Sequence, residues 1–127
     1  MGEGTKPIIY IVDDDESVLR AMKRLISSMD MDVQTFASGR EFLDSGYRDQ
    51  NACLIVDVKM PGMSGMELQQ KLVAKGSKLP VVFVTAFDTE EVRDGAKKAG
   101  AAGYFRKPVD DQALLDSIQW ALSNQPS

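Results

Sequence analysis

Ile8-Ile9-Tyr10-Ile11-Val12, followed by Asp13-Asp14-Asp15, decides how this chain folds. Five apolar residues in a row, nearly all β-branched, show no polar alternation. That is the pattern of a strand covered on both faces, as in a parallel sheet. Three aspartates end the run. Beyond them Val18, Leu19, Met22, Leu25, Ile26 and Met29 recur at helical spacing, so a strand is followed at once by an amphipathic helix.

The same unit repeats along the chain. Val33 to Phe36 reads as a short second strand, and Ser38-Gly39-Arg40-Glu41 as a capping box opening a short helix. Cys53-Leu54-Ile55-Val56 is a third strand that stops at Asp57. Met60-Pro61-Gly62-Met63 is loop, and Ser64-Gly65-Met66-Glu67 is a second capping box before a helix carrying Leu68, Leu72 and Val73. Pro80 opens a fourth strand, Val81 to Thr85. A weaker helix runs from about Thr89 to Ala99, with only Val92, Ala96 and Ala99 on its inner face. Gly103 to Arg106 is a fifth strand, and Asp110 caps a last helix with Leu114, Leu115, Ile118, Ala121 and Leu122 inside. Five strand-helix units in strict alternation imply an α/β fold, a parallel sheet with helices on both faces. One domain over residues 1–127 is expected, with its core from about 7 to 122 and short frayed ends.

Composition narrows the function. The chain is 43% apolar and 27% charged, ordinary for a globular protein. A net charge of −4 argues against direct nucleic-acid binding, which needs a basic face. There is no histidine, which removes Ser-His-Asp and Cys-His catalysis, histidine metal sites and any phosphohistidine. The single cysteine, Cys53, sits in an apolar run, reads as core, and fits a reducing cytoplasm. No segment is apolar enough to span a membrane, and the N-terminus lacks a signal core. Lys6 stands where a myristoylation site wants Ser or Thr, so lipidation is rejected.

The unusual residues stand where the strands end. In an open parallel sheet, ligands bind beyond the carboxyl ends of the strands. Here strand one runs into Asp13-Asp14-Asp15, strand three into Asp57, strand four into Thr85, and strand five into Lys107-Pro108. With the strands side by side, Asp13, Asp14 and Asp57 share one pocket. Two carboxylates about 4 Å apart repel by roughly 4 kcal/mol at an effective dielectric near 20. Lys107 offsets one charge, and a divalent cation would offset the other two. Oxygen donors without histidine or thiolate point to Mg²⁺ rather than Zn²⁺, with Mn²⁺ as the alternative. A carboxylate nucleophile beside Mg²⁺, an ammonium and a hydroxyl suits phosphoryl transfer to Asp57, giving an acyl phosphate.

Each residue alone has a plainer reading. The aspartates suit a helix cap, Asp57 a turn, Thr85 a strand, and Lys107-Pro108 a loop. Met60, Met63 and Met66 read as loop packing. Trp120 falls off the apolar stripe of the last helix, either a partner-facing anchor or a half-buried surface residue. The joint placement at four strand ends carries the functional reading.

Ile11-Val12-Asp13-Asp14-Asp15, the stretch from Leu54 to Gly65, Val84-Thr85-Ala86 and Tyr104-Phe105-Arg106-Lys107-Pro108 resemble the receiver domains of two-component response regulators. The resemblance covers about Pro7 to Leu122. Glu41-Phe42-Leu43 and the stretch from Met60 to Leu68 resemble most the FixJ-like branch, whose members usually carry a C-terminal DNA-binding helix-turn-helix. It implies a flavodoxin-like doubly wound (βα)5 sheet of order 2-1-3-4-5. Asp57 is then the phosphoacceptor, and Asp14, Asp57 and the Lys59 carbonyl ligate Mg²⁺, with Asp13 acting mostly through water. Thr85 and the backbone amides of Lys59 and Ala86 contact the phosphoryl group, Lys107 pairs with it, and Lys107-Pro108 is cis. Thr85 and Tyr104 form the switch: Thr85 moves toward the phosphoryl group and Tyr104 swings inward behind it. The surface of helix four, strand five and helix five then changes partner preference. The weak stripe and Gly95 of helix four suit a movable element. Lys59 and Phe87 depart from the usual pattern at positions that influence dephosphorylation in this family.

The implied partners are a histidine kinase or histidine phosphotransfer protein, or a small phosphodonor. An output domain or transcriptional partner is expected, and the chain is a monomer or a phosphorylation-dependent dimer. It would be no enzyme beyond its own phosphorylation and dephosphorylation. An aspartyl-phosphate phosphatase needs a second Asp where Lys59 stands, and a P-loop NTPase needs a motif that is absent. A phosphorylation-independent receiver-like module would not need Asp14, Asp57, Thr85 and Lys107 together. A flavodoxin-like cofactor binder would not place three carboxylates after strand one.

Overall fold

The β-branched runs form the central strands of a computed structural model that describes residues 6–125. Residues 1–5 and 126–127 lie outside the described residues, and with them the N-terminal signal and lipidation readings and the fraying. The elements alternate as β1 (Ile8–Val12), α1 (Glu16–Ser27), β2 (Asp32–Phe36), α2 (Gly39–Leu43), β3 (Ala52–Asp57), α3 (Gly65–Ala74), β4 (Val81–Thr85), α4 (Glu90–Lys98), β5 (Gly103–Arg106) and α5 (Asp111–Ser123). All strand pairs are parallel, and the order is β2-β1-β3-β4-β5. The sequence reading of the fold therefore holds. Strand order reverses between β1 and β3, where such sheets place their ligands.

The period of two along each strand divides the core into two layers. Ile8, Tyr10, Val12, Leu54, Val56 and Phe83 face one way, with Phe42, Leu68, Leu72 and Ala96 of α2, α3 and α4. Ile9, Ile11, Cys53, Ile55, Val82 and Val84 face the other, with Leu19, Ile26, Leu114 and Ile118 of α1 and α5. Cys53 is fully buried, and burial pushes its thiol up to about 12, as expected of an unreactive core residue.

Two apolar positions of the sequence reading lie elsewhere. Met29 falls beyond α1, because the Ser28 hydroxyl donates to the Leu25 carbonyl at 2.6 Å and Asp30 turns left-handed (φ 61°). It is partly exposed. Val73 lies 100° around α3 from Leu72 and is 59% exposed. Trp120 is also 59% exposed, off the inner stripe of α5 as read. Met66 belongs to the first turn of α3, while Met60 and Met63 pack from the loop against the same core layer.

Of the two capping boxes, Ser64 forms the complete one. Its Oγ accepts from the Glu67 N–H at 3.1 Å, and the Glu67 carboxylate accepts from the Ser64 N–H at 2.9 Å. At Ser38 the side chain accepts from Glu41 N–H at 3.2 Å, and among the described residues no return bond is made. The Ser64 box fixes where α3 begins, at Gly65, eight residues past Asp57. Ser64→Ala is expected to cost about 1 kcal/mol, read as a lower urea midpoint with unchanged m value. An unchanged midpoint would show that Gly65 packing alone sets the start of α3.

Candidate functional site

Strand register assembles the site before any side chain is considered. Val12 pairs with Val56, so Asp13 and Asp57 emerge level with each other one residue later. Asp57 pairs with Val84, and Thr85 with Arg106, so Thr85 and Lys107 follow at the next two strand ends. Backbone bonds lock these ends: Val58 N–H to the Val84 carbonyl at 2.9 Å, and Lys107 N–H to the Thr85 carbonyl at 2.7 Å. The Lys107-Pro108 bond is cis, as the resemblance implied.

The acidic trio converges. One carboxylate oxygen from each of Asp13, Asp14 and Asp57 lies within 4.8 Å of the others. Asp13 and Asp57 are buried, 1% and 6% exposed, and Asp14 faces solvent. Lys107 Nζ lies 2.8 Å from Asp13 Oδ2 and 3.4 Å from Asp57 Oδ2. Asp13 also accepts from the Asp15 N–H at 2.9 Å. Asp15 is the N-cap of α1, its carboxylate held below the usual range by the Ser17 hydroxyl and N–H.

Electrostatics sort the groups further. Burial, then repulsion by Asp13, raises the Asp57 carboxyl above its ordinary value, against the pull of Lys107 and the Lys59 N–H. Burial works against the Lys107 ammonium, but the hydrogen bond and charge of Asp13, with Asp57, outweigh it and hold its pKa above the ordinary value. Three carboxylates facing one ammonium leave a local excess of two negative charges. A buried acidic cluster with that excess fits a hard divalent cation.

Thr85 is fully buried, and its hydroxyl accepts from the Phe87 N–H at 2.9 Å. Ala86 is exposed between them. Lys59 and Phe87 meet: the ammonium lies 4.8 Å from the centroid of an exposed ring, within cation–π reach. Tyr104 is partly buried against the Phe83 side of the core, and its hydroxyl donates to Asp88 Oδ1 at 2.9 Å.

The structure thus brings Asp13, Asp14, Asp57 and Lys107 together and sets Thr85, Ala86 and Lys59 at the adjoining strand ends. Sequence reasoning missed three supporting residues. Asp88 binds Tyr104 and Arg93, a link from the β4–α4 loop to β5 and to α4 that no local pattern reports. Gly65 presses on the Asp57 backbone: a Cβ there would sit 2.5 Å from the Asp57 carbonyl oxygen. Gln69 is buried between Leu68 and Leu72 on α3 and donates to the Ala99 carbonyl at the end of α4.

Comparison with known proteins agrees with this geometry. Residues 9–119 match the family model for the response regulator receiver domain. The chain is 37% identical over 120 residues to the transcriptional regulatory protein TdiR of Thauera aromatica, covering 94% of this chain and 53% of that one. It is 39% identical over 119 residues to the response regulator protein TodT of Pseudomonas putida, covering 94% and 52%. It therefore spans about half the length of these relatives. The crystal structure of FixJ-N superposes with a TM-score of 0.86 at 27% identity, covering 97% of this chain and 98% of that one.

Proposed function

Because the chain belongs to the response regulator receiver family, we propose that it is a phosphoacceptor switch in which Asp57 takes a phosphoryl group from a partner histidine kinase, a phosphotransfer protein or a small phosphodonor. The carrying observation is the ion-paired cluster: buried Asp57 and Asp13 share one ammonium, with Asp14 alongside. The acceptor oxygen of Asp57 attacks phosphorus, the donor's leaving group departs, and a mixed anhydride forms on the carboxylate. Lys107, already 3.4 Å from Asp57, turns from carboxylate pairing to the new phosphoryl oxygens. The Thr85 hydroxyl and the N–H groups of Lys59 and Ala86 supply donors from the neighbouring strand ends. Asp14, Asp57 and the Lys59 carbonyl, with Asp13, would hold Mg²⁺, which supplies charge neutralisation of the transferring group when bound.

The chain acts on no external substrate in this reading. Its output is a shift of the α4-β5-α5 surface as Thr85 and Tyr104 rearrange. A partner kinase implies a cytoplasmic setting. Among the described residues, no helix is long and apolar enough to cross a membrane. The half-length match to TdiR and TodT, named as a transcriptional regulatory protein and a response regulator protein, favours an output segment in the whole protein.

The test is amide NMR of the chain with beryllofluoride and Mg²⁺. Shifts should begin around Asp57 and extend to α4 and Tyr104, and should vanish without Mg²⁺. Thr85→Ala and Lys107→Ala are expected to keep shifts near Asp57 while losing most of those in α4 and at Tyr104. Full propagation in both variants would remove Thr85 and Lys107 from the switch.

A further inference from the structure

Ala86, Phe87, Asp88 and Thr89 join the end of β4 to α4, and Asp88 makes the contacts that matter. Asp88 Oδ1 accepts from the Tyr104 hydroxyl of β5 at 2.9 Å and from Arg93 Nε of α4 at 2.9 Å. One oxygen therefore ties a strand, a loop and a helix. The loop is stiff on either side of it. Thr85 Oγ1 accepts from Phe87 N–H before it, and Thr89 Oγ1 caps α4 by accepting from Val92 N–H after it. Any displacement of Thr85 is passed to Asp88 through this short turn.

We propose that Asp88 is a positioning residue that fastens the Tyr104 side chain to α4 and thereby holds the switch in its resting arrangement. The proposal rests on the reading of Thr85 and Tyr104 as the moving pair. In the resting arrangement Lys107 is paired with Asp13 and Asp57, and the Thr85 hydroxyl with Phe87 N–H. Movement of Thr85 toward Asp57 drags the loop, and movement of Tyr104 breaks its bond to a charged acceptor. Both motions act against the same carboxylate oxygen.

An exposed Asp–Arg pair by itself contributes little. The Tyr104 hydroxyl makes this one different. It is partly withdrawn from water, and burial followed by the bond to Asp88 pushes its pKa up to about 12. Asp88 is itself mostly covered, its side chain 23% exposed. A hydrogen bond from a partly buried hydroxyl to a carboxylate is among the stronger neutral-to-charged contacts. Arg93 then keeps the carboxylate aimed at Tyr104 and attaches both to the first turns of α4.

The experiment is a beryllofluoride titration of the whole chain in Mg²⁺, followed by amide NMR at Tyr104 and along α4. Asp88→Ala is expected to lower the half-saturating concentration roughly fivefold, as release of about 1 kcal/mol holding the resting arrangement requires. It should also move the resting Tyr104 and α4 shifts toward their beryllofluoride positions. Tyr104→Phe keeps the ring and removes the same bond, so it should act alike, and the double variant should add nothing. Asp88→Asn, which keeps an acceptor and loses the charge, should fall between. A midpoint unchanged or raised in Asp88→Ala overturns the proposal, as do additive effects in the double variant. A wild-type chain silent to beryllofluoride would instead sink the phosphoacceptor reading, and the proposal with it.

Discussion

Asp57→Asn is expected to reduce phosphoryl incorporation to background and, at neutral pH without Mg²⁺, to raise the melting temperature. The first effect is chemical. The amide has no anionic oxygen to attack phosphorus, and Asp13 and Asp14 stand on another strand end. The second effect follows from the site's charge. Burial and the neighbouring Asp13 both oppose ionisation of Asp57, and Lys107 only partly compensates because it is bonded more closely to Asp13. The neutral amide removes the repulsion and leaves the 2.8 Å Lys107–Asp13 pair in place. The gain is on the order of 1 kcal/mol, the residue of opposed Coulomb contacts, or about 3–5 °C in a domain of this size.

The pH dependence has a definite sign. The folded chain binds the Asp57 proton more readily than the unfolded chain does. Below the ordinary carboxylate value both states are protonated, and Asp57 costs nothing. As pH rises through the raised folded value, wild-type stability from this group is lost and stays lost at neutrality. The advantage of Asp57→Asn should therefore be full near pH 7 and shrink toward pH 4. Mg²⁺ should narrow the difference by stabilising the wild type more. Thermal melts at both pH values with and without Mg²⁺, beside phosphate labelling, test all of this. Labelling of the variant at the wild-type rate would move the acceptor elsewhere, and a lower neutral melting temperature would reverse the electrostatic account.

The same local rules explain what could be read in advance. Strands β1, β3 and β4 were legible because residues buried on both faces show unbroken apolar runs, and a polar residue ending such a run is conspicuous. Asp13, Asp57 and Thr85 stood out for that reason, and Lys107 through its place with Pro108 at the end of the fifth strand. Asp110 and Ser64 were legible as caps because a helix start is a local chemical event. What escaped depends on contacts between distant elements. The Asp88–Arg93 pair looks like ordinary surface charge until β5 brings Tyr104 to it. Gln69 looks misplaced on an inner face until the Ala99 carbonyl supplies its partner. Val73 was placed with its helix, but whether it is covered depends on the width of the stripe that α4 leaves open. Which arrangement of Thr85 and Tyr104 is stable also turns on such long-range bonds.

Gly65→Ala is expected to have the second largest effect, through the backbone. The first residue of α3 lies so close to β3 that an added Cβ would stand 2.5 Å from the Asp57 carbonyl oxygen and 3.1 Å from both the Asp57 carbonyl carbon and Val58 Cα. None of these is a flexible side chain that could swing aside. The Gly65 N–H donates to the Val58 carbonyl at 2.9 Å, and the Ser64 capping box pins the turn just before it. The chain must therefore displace either the start of α3 or the end of β3. Overpacking of this kind costs about 1–3 kcal/mol, and alanine's better helix propensity recovers at most about 1 kcal/mol. A net loss of about 2 kcal/mol corresponds to a melting temperature lower by about 6–10 °C. If β3 yields, Asp57 moves relative to Asp13 and Lys107, and phosphorylation slows in the chain that remains folded. Gly95→Ala is the matched control, since its Cβ meets only the Met66 methyl at an ordinary 3.7 Å. Equal melting temperatures for the two variants would show that β3 and α3 part at no cost. Lost stability with an unchanged phosphorylation rate would show that α3 yields and that Asp57 is held by the sheet alone.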